Sequence, residues 1–142
     1  MEQPKHLSYL VKLLADRQET VFTQKAGPIP VTAPQCRLLM YLESRNGEPV
    51  SQRELEHYLG VSHTTVKGLL QRLEEKGFVR TAFDSADGRV KHAYLTDKHR
   101  RLHNEFSNMV AEFEKELLAG FSAEECETLR SLLQRLYNNL LP

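Results

Sequence analysis

Apolar residues recur at helical spacing in six stretches of this chain and crowd into β-branched and aromatic runs in two. The most regular stretch holds Val66, Leu69, Leu70 and Leu73, an i, i+3, i+4, i+7 stripe that makes one face of a helix. At about 100° per residue the opposite face carries Thr64, Gly68, Gln71 and Glu75, flanked by Thr65, Lys67 and Arg72. Just before it, Leu55, Tyr58 and Leu59 give a shorter helix an apolar side. Ser51 and Glu54 have the S-x-x-E spacing of a capping box at its start. Gly60 stands where a helix ends in a left-handed residue, and Ser62 follows as a second N-cap. A short helix, a glycine turn and a second helix with a small, polar and basic outer face form the helix-turn-helix layout. Gly68 costs that second helix about 1 kcal/mol against alanine. Its place on the outer face points to close approach of backbone to a partner; a neutral surface glycine is the plainer reading.

The same pattern organises the rest. Leu7, Leu10, Val11, Leu14, Val21 and Phe22 mark a helix from 5 to about 25, ended by Gly27-Pro28-Ile29-Pro30. Thr32 and Gln35 form a T-x-x-Q box, with Pro34 in the first turn of a helix from about 33 to 45. Gly77 caps the stretch after Leu73. Phe78 to Phe83 and Val90 to Leu95 are two strand candidates, joined by the turn-rich Asp84-Ser85-Ala86-Asp87-Gly88-Arg89. A hairpin placed directly after a helix-turn-helix is a wing, where Arg and Lys can track a backbone or enter a minor groove. Thr96 caps a long helix, about 97 to 119, stopped by Gly120. Ser122 and Glu125 open a last helix to about Leu141, and its row of leucines exceeds what a solvated terminal helix keeps. The first helix has a similar surplus, so the two terminal helices should pair two chains into an intertwined homodimer. The expected fold is mainly α with a small β-hairpin wing (α+β). Residues 1–30 are a dimerisation helix, 31–96 a winged helix-turn-helix and 97–142 the C-terminal dimerisation helices.

Charge sharpens this picture although the chain's net charge is zero. Residues 62–101 hold 9 Lys/Arg and 5 Asp/Glu, whereas residues 102–142 hold 3 and 7. A basic centre beside an acidic tail suits a polyanion better than the total suggests. Apolar content of 40% and charged content of 27% are ordinary for a globular protein. No apolar run approaches the roughly 20 residues of a membrane span. The N-terminus lacks a signal-peptide design, and Cys36 and Cys126 form no disulfide framework. A cytoplasmic chain with no membrane partner is the expectation.

Val31-Thr32-Ala33-Pro34-Gln35 with Leu38-Leu39, the helix-turn-helix, LQRLEEKGFV at Leu70 to Val79, Asp87-Gly88-Arg89 and Leu95-Thr96 resemble the MarR family of bacterial transcription regulators. The resemblance runs from about residue 5 to the C-terminus. It implies a homodimeric winged helix that binds a palindromic operator in double-stranded DNA, most often as a repressor released by a small effector. On that basis Ser62, His63, Thr64, Thr65, Lys67, Gly68, Gln71 and Arg72 serve the major groove, and Asp87, Arg89 and Lys91 the wing. Family members often have a second basic residue between the wing Asp and Arg; Gly88 stands there in this chain. Family effectors are aromatic or phenolic and bind between the dimerisation helices and the winged helix, where Tyr9, Phe22, Tyr41 and Phe106 could line a cleft. Some relatives sense oxidants through a cysteine of the first helix, but residues 1–35 contain none.

No catalytic constellation or phosphate-binding glycine loop can be assembled from motifs, so no enzyme and no cofactor are expected. His99 and His103, at i, i+4, could be half of a metal site, though solvated histidines are the plainer reading and no metal is assigned. Cys36, beside Leu39, reads as a packed, inert thiol, and Cys126 as core or interface. The alternatives to a DNA-binding regulator are a winged helix used for protein interaction and a small metalloenzyme resting only on the two histidines.

Overall fold

The computed structural model describes residues 2–25, 27 and 29–142. Pro28, expected to help end the first helix, lies outside the described residues. The elements in chain order are α1 Leu7–Lys25, α2 Ala33–Ser44, β1 Val50–Ser51, α3 Gln52–Leu59, α4 His63–Glu75, β2 Val79–Phe83, β3 Lys91–Leu95, α5 Asp97–Arg101, α6 His103–Leu117 and α7 Ala123–Asn139. The fold is mainly helical with a small antiparallel sheet, as the periodicity implies. Two compact units divide the chain, Met1–Phe106 and Ser107–Pro142.

In the first unit, the apolar stripes meet in one core. Leu38 and Leu39 of α2, Leu55 of α3, and Val66, Leu70 and Leu73 of α4 are buried together with Phe78, Val79 and Ala93. The α3–α4 turn follows the expected chemistry. Gly60 is left-handed at φ 66°, and the Ser62 hydroxyl accepts the Thr65 N–H. Thr32 and Gln35 close a reciprocal capping box on α2.

Three expectations are corrected. The sheet has three strands, in the order β1-β3-β2, not a lone hairpin. Val50 and Ser51 pair with Ala93 and His92, while β2 and β3 run in register from Val79↔Leu95 to Phe83↔Lys91. A two-residue strand is too short to leave an alternation in sequence. Second, Ser51 caps α3 by accepting the Glu54 N–H at 3.1 Å, but the Glu54 carboxylate does not complete the box. It accepts from the Tyr41 hydroxyl of α2 and from Arg45, the residue that caps the end of α2, instead, and so ties α3 to α2. Third, the helix capped by Thr96 is broken at Leu102, whose φ is −99° and ψ 10°. His99 and Phe106, on either side of the break, are both in the core; they are 2% and 4% exposed.

Within α1, Phe22 is buried, but Leu7, Tyr9, Leu10, Val11, Leu13 and Leu14 are exposed. In the second unit, α7 is opened by a reciprocal capping box of Ser122 and Glu125. Leu132, Leu133, Leu136, Tyr137, Leu140 and Leu141 are exposed on and just after it. Among the described residues, no helix is long and apolar enough to cross a membrane.

Candidate nucleic-acid interface

The candidate interface is built on α4, which is fixed from behind and open in front. Val66, Leu69, Leu70 and Leu73 are buried. Burying four such side chains stabilises the placement of the helix by several kcal/mol, on the order of 1.5–3 for each. Ser62, His63, Thr64, Thr65, Lys67, Gln71 and Arg72 are exposed on the outside, with Gly68 half-buried. They form one continuous small, polar and basic surface. Their readiness differs. The Ser62 and Thr65 hydroxyls lie 3.0 Å apart within the cap, and His63 Nδ1 lies 3.2 Å from the Glu56 carboxylate of α3. A Cβ added at Gly68 would meet nothing closer than Arg72 Nη1 at 3.7 Å. Space inside this chain therefore does not demand glycine at this position.

The loop between β2 and β3 is ordered by two aspartates. Asp84 Oδ1 accepts the backbone N–H of Ala86 at 2.7 Å and of Asp87 at 3.3 Å. These bonds, with His92 nearby, hold its carboxyl below the ordinary carboxylate range. Asp87 Oδ1 accepts the Arg89 N–H at 3.0 Å and its Nε–H at 3.3 Å. Asp87 thus shapes the turn and steers Arg89, whose side chain is 92% exposed. Lys91 lies over the ring of Phe83 at 5.9 Å. Asp87 and Arg89 are brought together, with Asp87 as the support and Arg89 as the exposed cation paired with it.

The four aromatic residues suggested for an effector cleft are not gathered into one place. Tyr9 is exposed and Phe22 buried, roughly 20 Å apart along α1 at 1.5 Å per residue. Tyr41 stacks on Tyr58 with ring centroids 4.1 Å apart. Phe106 is enclosed by Phe78 and His99. Instead a cleft of about 610 Å³ opens between the end of α2, the sheet and the α5–α6 break. Glu43, Arg80, Tyr94, His99, Arg100 and His103 are among its lining residues. The Arg80 guanidinium lies 4.3 Å over the Tyr94 ring, and His103 is paired with Glu43 across it. Sequence reasoning missed this cleft because its residues come from five elements with no shared motif.

The reading of both histidines as solvated fails for His99, which is buried. Burial lowers its pKa from the ordinary 6.5, with His103 and Arg100 acting the same way and Glu43 opposing them. Among the described residues, no group of three His, Cys, Asp or Glu side chains could hold a metal ion. Cys36 is buried, and its thiol is pushed up to about 11 by desolvation. Such a thiol is almost wholly protonated at neutral pH and a poor nucleophile.

Comparison with known proteins places the chain among structures of similar fold. Residues 29–90 match the MarR family. A probable transcriptional regulator from Pseudomonas aeruginosa is similar at TM-score 0.83 and 27% identity, over 93% of this chain and 97% of that one. MepR of S. aureus, solved as a DNA complex, is similar at TM-score 0.83 and 26% identity, over 96% and 97%. PcaV of Streptomyces coelicolor, solved with its natural ligand, shares the fold at TM-score 0.82 and 23% identity, over 97% and 98%.

Proposed function

We propose that this MarR-family winged-helix chain is a sequence-specific regulator of transcription that binds a palindromic operator as a homodimer and represses. The observation that carries the reading is α4: four side chains lock its inner face, while Thr64, Lys67, Gln71 and Arg72 lie open on the other. A helix so fixed can enter a major groove without first being ordered. Arg89, aimed by Asp87, is suited to phosphate or the minor groove. MepR in its DNA complex is a relative of the same fold and supports this direction.

The exposed apolar faces of α1 and α7 are each larger than scattered surface leucines explain, and pairing with a second copy would cover them. Two α4 helices related by a two-fold axis would read two half-sites about one helical turn apart. The lined cleft is the candidate effector site, with the Arg80–Tyr94 pair suited to an aromatic anion. PcaV, solved with its natural ligand, supports effector response at the level of the fold. The reading is tested by selecting bound duplexes from random DNA: a two-fold symmetric sequence should be enriched. Failure to enrich any sequence would favour use of the winged helix for protein interaction.

A further inference from the structure

The C-terminal end of α4 is held by a pair of lysines bonded to neutral oxygens. Lys76 caps the helix. Its Nζ donates to Gln35 Oε1 at 2.7 Å and to the carbonyl of Pro30. Gln35 is 2% exposed, and its Oε1 also accepts the Thr32 N–H at 3.2 Å. One buried amide oxygen therefore joins the first turn of α2 to the last turn of α4. On the other side, Lys98 Nζ donates to the Lys76 carbonyl at 2.6 Å, and the Thr96 hydroxyl donates to the Gly77 carbonyl at 2.5 Å. The Lys98 ammonium lies 4.9 Å from the Phe78 ring centre. Desolvation lowers the Lys76 pKa, with Arg72 contributing in the same direction.

We infer that Lys76 is a positioning residue: through Gln35 and Pro30 it sets where the end of α4 stands against α2, and hence which base edges Gln71 and Arg72 reach. The inference rests on the DNA-binding reading of α4. A lysine in a basic segment is more simply a phosphate contact, and the two roles differ in measurable ways. Phosphate contacts contribute to affinity on any sequence and to the salt slope. A strut contributes only where base contacts must be met.

The test uses Lys76→Met, Gln35→Leu, their combination and Lys76→Arg in the full chain. Amide exchange at Gly77 and Phe78 should speed up about tenfold in each single variant, the scale of one charge-assisted hydrogen bond. The double variant should add nothing further, and amides of Leu38 and Leu55 should keep their protection. Affinity for the selected operator should fall about tenfold, the scale of one lost base contact. Affinity for a scrambled duplex should stay within about twofold, with the salt slope unchanged. Lys76→Arg should restore operator binding, since a guanidinium presents donors to both oxygens.

Unchanged exchange at Gly77 and Phe78, or losses that add in the double variant, would overturn the strut. Equal weakening on both duplexes with a salt slope lowered by about one would make Lys76 a phosphate contact. Wild-type protein that binds neither duplex would overturn the DNA reading and the base-positioning role with it, while the exchange arm would still decide whether the strut exists.

Discussion

His99 lies against the ring of Phe106, with ring centroids 4.9 Å apart and planes inclined by 30°. Phe78 meets the same ring edge-on at 5.5 Å. The two residues flank the break at Leu102, and both are buried in the core. Burial lowers the His99 pKa below its ordinary 6.5. The unfolded chain then takes up the proton more readily than the folded one. Stability from His99 is therefore complete above about pH 6.5 and is lost as pH falls through the lower, folded value. Urea midpoints should fall between pH 7.5 and pH 5, and His99→Asn should flatten that part of the profile. An unchanged profile in the variant would assign the acid sensitivity elsewhere.

Gly68 separates stability from binding. With only Arg72 Nη1 near its missing Cβ, Gly68→Ala should stabilise the fold by about 0.5–1 kcal/mol, the helix-propensity difference. The same methyl should weaken operator binding by obstructing close approach of the helix backbone. A variant that is more stable and binds as wild type would show Gly68 to be a neutral surface residue.

The exposed leucines of α7 predict assembly. Light scattering should give about twice the 16.4 kDa chain mass, and Leu133→Glu with Leu136→Glu should halve it. A stable wild-type monomer at micromolar concentration would remove the case for a two-fold symmetric operator.

The two thiols should be silent in regulation. With Cys36 buried and its pKa near 11, mild peroxide should leave DNA binding unchanged in wild type and in Cys36→Ala alike. Oxidative loss of binding that disappears in Cys36→Ala would make this residue a sensor.

The parts of the fold legible from sequence are those in which a residue's neighbours in the chain decide its role. Ser62 and Thr65, Gly60, and the Val66–Leu73 stripe behave as their spacing implies, because caps and helix faces are local. Glu54 shows the limit. Its spacing from Ser51 fits a capping box, but Tyr41 and Arg45, brought close only by the fold, take its carboxylate. His99 is the same case: its i, i+4 spacing from His103 suggests a solvated pair, but the fold buries it against Phe106. Gln35 was readable as a cap of α2, whereas its bond to Lys76 spans 41 residues and had no sequence signature. For the interface, α4 and the wing were readable as elements. The steering of Arg89 by Asp87 and the cleft around Arg80 required coordinates.

The central claim is that α4 reads sequence while the wing supplies affinity, and a salt titration on two duplexes tests it most directly. Wild type, Gln71→Ala and Arg89→Ala would be titrated on the selected operator and on a scrambled duplex. Arg89→Ala should weaken both and lower the salt slope by about one. Gln71→Ala should leave the slope unchanged and lose about 1–3 kcal/mol on the operator alone, at one base position. Wild-type protein that binds operator and scrambled duplex equally at every salt concentration, or neither at low salt, would contradict the account.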